Sequence, residues 1–155
     1  MAHSSADPAE IATGMSRGAF EFQGQKCSAA SRAYIPKSLW PDVKNILIDQ
    51  VGSFKMGSPG DPSNFITAVI DERAFDKISG YIDEVKRSND ADIILGGDYD
   101  KTNGYFITPT IIQAKEPLFK TMCEEIFGPV LTIYVYADSD WSETLDLVNK
   151  TSEYA

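Results

Sequence analysis

The segment Gly24-Gln25-Lys26-Cys27-Ser28-Ala29-Ala30-Ser31-Arg32 sets a cysteine among small residues, next to cations. Small neighbours let an electrophile approach the sulfur closely, and an adjacent positive charge favours the thiolate, the nucleophilic form. The opposing reading is an inert buried thiol, because free cysteine is among the most buried residue types. Roughly 100 residues later comes an acidic doublet in Glu124-Glu125-Ile126-Phe127-Gly128-Pro129-Val130. On residue types alone that doublet is an exposed helix-end pair, the usual fate of adjacent acids.

Other chemistry is poorly supplied. The single histidine, His3, sits in a polar leader, so Ser-His and Cys-His pairs and histidine metal sites lack their key residue, and no metal is expected. Asp98–Gly104 begins like a calcium loop, but its glycine comes one place late and Pro109 stands where the closing glutamate belongs. Gly57-Ser58-Pro59-Gly60 lacks the Lys-Ser/Thr of a phosphate loop, and Asn149-Lys150-Thr151 is a sequon only in a secreted protein.

The elements around Cys27 follow from patterning. Asp7-Pro8-Ala9-Glu10 offers an N-cap acid, a proline at the first helical position and a glutamate poised for a capping box. Ile11, Met15, Ala19 and Phe22 then recur at helical spacing, predicting a helix from 8 to about 22 that ends near Gly24. Residues 31–36 read as a strand. Ser38 is expected to cap a helix carrying Trp40, Val43, Leu47 and Val51. Residues 55–64, with two glycines and two prolines, form a loop. Asp71 opens a helix with Phe75, Ile78, Ile82 and Val85 on one face. Residues 91–95 and 130–136 read as strands, and 105–112 reads as one that Pro109 forces to an edge or bulge. Asp140 and Glu143 are expected to form a capping box for a last helix with Trp141, Leu145 and Val148 inward. Helices and strands alternate, so the fold class expected is α/β, a mostly parallel open sheet with flanking helices.

Three ordered strings carry a family resemblance: the Cys27 segment, Gly104-Tyr105-Phe106-Ile107-Thr108-Pro109-Thr110, and Glu124–Val130. Together they resemble the aldehyde dehydrogenase superfamily, and the likeness spans about Ser5 to Ala155. Ala19-Phe20-Glu21-Phe22-Gln23 before the cysteine and Phe65–Asp71 after it are most similar to the branch of 1-pyrroline-5-carboxylate dehydrogenases. That branch oxidises glutamate γ-semialdehyde to glutamate in proline catabolism. The resemblance implies that Cys27 attacks the aldehyde carbonyl to give a thiohemiacetal, its oxyanion held partly by the Cys27 backbone N–H. Hydride leaves to NAD, and water hydrolyses the thioester that remains. By the same resemblance Ser28 helps hold the distal carboxylate of the substrate, unless it is only a small residue needed for packing. Glu125 matches the residue that binds the nicotinamide-side ribose, and Phe127 the aromatic packed beside it. Cys123 has no matching role and is expected to be structural.

Size and charge bound the rest. The chain has 155 residues with 43% hydrophobic and 24% charged, the composition of one globular domain. A net charge of −9 disfavours nucleic acid and anionic membranes as partners. No apolar run reaches the ~20 residues of a membrane span, and the start lacks the pattern of a signal peptide. Two cysteines without secretory features are expected to be free thiols in a reducing compartment. For the family, that means bacterial cytoplasm or the mitochondrial matrix.

A complete family member also needs a glutamate base, an oxyanion-hole asparagine and an NAD-binding domain upstream, and a C-terminal segment downstream. None is found in residues 1–155. The expectation is therefore a single partial catalytic domain at 1–155, inactive alone, from a parent that forms homo-oligomers. Alternatives are a non-catalytic binding or assembly module of the same fold, a dehydrogenase for another semialdehyde, or a free-standing thiol enzyme.

Overall fold

A computed structural model describes residues 1–151; the last four residues of the expected domain lie outside the described residues. The elements in order are α1 (Pro8–Phe20), β1 (Arg32–Pro36), α2 (Trp40–Gly52), α3 (Glu72–Arg87), β2 (Ala91–Leu95), β3 (Tyr99–Asp100), β4 (Phe106–Ile107), β5 (Thr110–Ala114), α4 (Lys120–Cys123), β6 (Val130–Tyr136) and α5 (Trp141–Thr151). The main sheet has the order β1-β6-β5-β2, with β1, β6 and β5 parallel and β2 antiparallel at the edge. A mostly parallel sheet flanked by helices is thus the observed architecture. β3 and β4 form a separate two-stranded ribbon.

Two-residue alternation along the strands assigns the faces. Ala33, Ile35, Ile111, Leu131 and Ile133 point toward α1 and α2, where they meet Ala12, Met15, Phe20, Val43 and Leu47. Ile112 and Val130 point the other way, into the stripe of α3 formed by Phe75, Ile78, Ile82 and Val85. Tyr34, Ala114 and Tyr136 continue that second face under α5. The α3 stripe and its Asp71 cap, which accepts from the Ala74 N–H at 2.7 Å, match the sequence expectation. So does the Asp7 cap of α1, which accepts from the N–H groups of Ala9 and Glu10, although the Glu10 carboxylate does not return to the Asp7 N–H to complete a capping box.

Four local expectations are corrected. First, α1 stops at Phe20, because Phe22 and Gln23 turn left-handed; Phe20 is fully buried, whereas Phe22 is 72% exposed. Second, Ser38 does not cap α2. The parallel pairing of β1 with β6 delivers Ser38 beside Asp138, and the Ser38 N–H (3.0 Å) and hydroxyl both donate to that carboxylate. Hydrogen bonds to an ionised acceptor are stronger than those between neutral groups, and these bonds hold the Asp138 carboxyl below its ordinary range. Third, the expected 105–112 strand breaks. β5 is interior to the sheet, where a proline would forfeit a ladder bond, so Pro109 falls in the gap between β4 and β5. Fourth, Asp140 and Glu143 form no capping box: the Asp140 carboxylate accepts from the Ser139 hydroxyl at 2.6 Å. Leu145 is exposed, and α5 turns Thr144, Leu147 and Val148 inward in its place.

Candidate active site

Three successive residues after α1, Phe22, Gln23 and Gly24, hold φ values of 50°, 58° and 66°. Left-handed backbone costs roughly 1–2 kcal/mol for each residue with a Cβ, so Phe22 and Gln23 need compensation. The Gln25 N–H donates to the Phe22 carbonyl at 3.1 Å. The side-chain oxygens of Gln23 and Gln25 accept from the Thr67 and Ile70 N–H groups, each at 3.0 Å. A second bend follows at once: the Ala29 N–H closes on the Lys26 carbonyl at 3.0 Å, leaving Cys27 and Ser28 at its tip. The Ala30 N–H then ties the chain back to the Gly18 carbonyl at 2.9 Å. Cys27 is a free thiol open to solvent, and Ser28 is exposed beside it.

The cation next to Cys27 is engaged elsewhere. The Lys26 ammonium pairs with Glu21 at 3.1 Å and lies 5.7 Å from the centre of the Phe22 ring. Glu21 is also paired with Arg17. The hydrogen bond from Lys26, followed by the charge of Arg17, holds the Glu21 carboxyl below its ordinary range. The cation that the sequence sets beside Cys27 thus has its charge balanced by a carboxylate.

The second loop runs from the end of α4 into β6. Phe127 is left-handed (φ 61°) and 41% exposed. Helix α3 braces this loop: the Lys77 ammonium donates to the Glu125 carbonyl at 2.8 Å, and the Tyr81 hydroxyl donates to the Glu124 carboxylate at 2.5 Å. The Glu125 carboxylate has no partner among the described residues, so both its oxygens are open to incoming hydroxyl groups.

The two loops touch through glycine. A Cβ on Gly24 would lie 2.3 Å from the Gly128 carbonyl oxygen and 2.8 Å from that of Ala19; one on Gly128 would meet Ile78 at 2.5 Å. Because β1 and β6 are parallel neighbours, the loops leading into them emerge side by side at their amino ends. Between them lies a narrow cleft lined by Cys27, Arg32, Cys123, Glu125 and Phe127, among others. Cys27, Glu125 and Phe127 are thus brought together. Ser28 shares the turn but not the cleft lining.

Sequence reasoning missed several contributors. Gln23 and Gln25 clamp the Cys27 turn to residues 67–70, more than 40 residues away; the only local hint was a glutamine on each side of a glycine. Lys77 and Tyr81 are equally distant from the loop they brace, and no short-range pattern marks them. Cys123, expected to be structural, packs with Tyr34 and Met122 but also borders the cleft. Burial is the main cause that pushes its thiol up. Access and thiolate fraction both control alkylation, so Cys27 is expected to react roughly tenfold faster than Cys123 with a small alkylating reagent near neutral pH. Peptide mass spectrometry over a time course measures the ratio, and equal rates contradict the exposed placement of Cys27.

Among the described residues no group of three or more His, Cys, Asp or Glu side chains is arranged to hold a metal ion. No described helix is long and apolar enough to cross a membrane.

Comparison with known proteins adds the family context. The profile described as "Aldehyde dehydrogenase family" matches residues 1–155. The mitochondrial delta-1-pyrroline-5-carboxylate dehydrogenase of Dictyostelium discoideum is 56% identical over 153 residues, covering 99% of this chain and 27% of that protein. The crystal structure of the delta-pyrroline-5-carboxylate dehydrogenase from Mycobacterium tuberculosis superposes with a TM-score of 0.93 at 38% identity, covering 99% of this chain and 28% of that one. The same enzyme bound with NAD gives 0.90. The chain therefore spans little more than a quarter of the length of these proteins.

Proposed function

Because this chain belongs to the aldehyde dehydrogenase family, we propose that it is the nucleophile-bearing part of an NAD-dependent enzyme that oxidises L-glutamate γ-semialdehyde to glutamate. The observation that carries this reading is the exposed Cys27 on a bend that shares one cleft with Glu125 and Phe127. The substrate reading is supported by relatives whose names make them delta-1-pyrroline-5-carboxylate dehydrogenases, and a place in proline catabolism is part of the proposal.

On this reading the Cys27 sulfur adds to the aldehyde carbon, and the new alkoxide takes a hydrogen bond from the Cys27 backbone N–H. Such preorganised donors are worth about 10²–10³-fold in turnover. The residues present fit NAD: the free carboxylate of Glu125 can accept both ribose hydroxyls, and the exposed face of Phe127 can pack beside the nicotinamide end. When bound, that cofactor supplies the hydride acceptor. Water then releases the acid and restores the Cys27 thiol. The upstream base, the second oxyanion donor and the rest of the cofactor site belong to other parts of the parent polypeptide, a homo-oligomer in the matrix or the bacterial cytoplasm.

The test compares the 155-residue chain with its full-length parent in an assay of NAD reduction by glutamate semialdehyde. The parent is expected to turn over and the chain alone to show no measurable rate. A parent that binds NAD without oxidising any aldehyde would sink the proposal and leave a binding or assembly module.

Ser28 is proposed to hold the substrate's distal carboxylate through its hydroxyl. A hydrogen bond to a charged group contributes about 1.5–3 kcal/mol, so Ser28→Ala in the parent should raise KM for the semialdehyde by roughly 10–100-fold. A simple aliphatic aldehyde, which has no carboxylate to lose, should be oxidised as before. Equal losses on both substrates would assign Ser28 to packing beside the nucleophile.

A further inference from the structure

The two glutamine clamps differ from ordinary loop bonds in what they join. Gln23 is the middle one of three successive left-handed residues, and Gln25 directly follows the last of them, Gly24. Each accepts from a backbone N–H, and only the amide oxygen of glutamine can do that, so the orientation of both side chains is dictated by their partners. The segment they grip is itself anchored: the Ile66 N–H donates to the Lys55 carbonyl at 3.0 Å, the Val69 N–H donates to the Tyr105 carbonyl at 2.8 Å, and both Ile66 and Val69 are buried. Gln25 is two residues from Cys27. By contrast, the pair between Lys26 and Glu21 is partly solvated and holds only a flexible side chain.

We infer that Gln25, seconded by Gln23, is a positioning residue for the nucleophile: its amide oxygen on the Ile70 N–H fixes where the Cys27 sulfur stands relative to the cofactor loop. This rests on the reading of Cys27 as the nucleophile and adds the device that places it. The device acts on position and not on the reactivity of the thiol, because Cys27 is solvent-exposed at the tip of its own bend. A small alkylating reagent finds the sulfur wherever the bend swings. A bound aldehyde does not, and a misplacement of about 1 Å can cost ~10²-fold in rate.

The experiment uses the full-length enzyme with a minimal pair of variants. Gln25→Asn keeps an amide but shortens the arm by one methylene, so its oxygen no longer reaches the Ile70 N–H. Gln25→Glu keeps both the reach and an acceptor oxygen. Gln25→Asn is expected to lower kcat about 100-fold with KM within threefold, while Cys27 alkylation stays within twofold of the parent. Gln25→Glu is expected to recover at least tenfold of that loss. Gln23→Asn and Gln23→Glu should repeat the pattern more weakly. An unchanged kcat in Gln25→Asn overturns the inference. So does a kcat loss accompanied by faster alkylation of both Cys27 and Cys123 and a lower Tm, which describes general loosening. Cys27→Ala run alongside separates the two levels: retained activity there refutes the nucleophile assignment itself, whatever the glutamine variants do.

Discussion

Replacing Cys27 by alanine in the full-length enzyme is expected to lower aldehyde oxidation by at least about 10⁴-fold, without changing stability by more than about 0.5 kcal/mol. The two halves of this expectation have separate causes. The thiol is exposed and makes no disulfide, so nothing in the packing depends on the sulfur. Its chemistry cannot be delegated: Cys123, the other thiol on the cleft, is half-buried and pushed toward the protonated form by that burial. On the proposed reading NAD affinity should survive, since Glu125 and Phe127, the residues proposed to hold it, are presented by a separate loop braced from α3. The measurements are steady-state rate, urea unfolding and NAD titration of the same preparation. Residual activity within 100-fold of the parent would remove Cys27 from the reaction.

The largest structural effect is expected at Gly24. A methyl group there meets the Gly128 carbonyl oxygen at 2.3 Å and the Ala19 carbonyl oxygen at 2.8 Å, both backbone atoms with no rotamer in which to retreat. The left-handed φ of 66° adds its own penalty. Taking about 1–2 kcal/mol for the backbone and about 1–3 for overpacking, Gly24→Ala should destabilise the chain by roughly 2–5 kcal/mol. Gly80 supplies the contrast. It lies exposed within α3 with open space where a Cβ would go, so Gly80→Ala should stabilise by about 0.5–1 kcal/mol through helix propensity. Urea unfolding of the two variants should therefore move the midpoint in opposite directions. A loss below about 1 kcal/mol at Gly24 would mean that the two loops are not in contact.

Where one local rule governed, the sequence was legible. The α3 stripe, the caps at Asp7 and Asp71, and the β-prone run of β6 each follow from patterning within a few residues, and each is where it was read. Pro109 was read as disturbing one strand at an edge or bulge; its missing N–H was rightly weighed, but it separates β4 from an interior β5 instead. Failures came where a distant partner outbid the local one. Ser38 has the composition of a cap, yet Asp138 reaches it only because two strands lie in parallel. Phe22 continues the helical spacing of α1, yet Gln23 and Gln25 find backbone donors at Thr67 and Ile70 and the helix ends early. Leu145 fits an inward stripe, yet Thr144 takes the buried position. The candidate site shows the same division. Its residue types and their order were visible, and the resemblance named Cys27, Glu125 and Phe127. The clamps and braces that give those residues a geometry were not visible, because none lies within 40 residues of what it holds.

The pairing of β1 with β6 sets an order of events for this part of the molecule. The turn bearing the thiol is synthesised roughly 100 residues ahead of the loop that faces it, and nothing closer in the chain can form the far wall. Parallel neighbours joined by so long a connection are slow to find each other, so a nascent polypeptide carries Cys27 without an opposite wall while most of this sheet is still being made. The pocket is therefore a late product of folding, and a stalled or truncated chain would display a solvent-open sulfur with no partner surface to direct what it attacks.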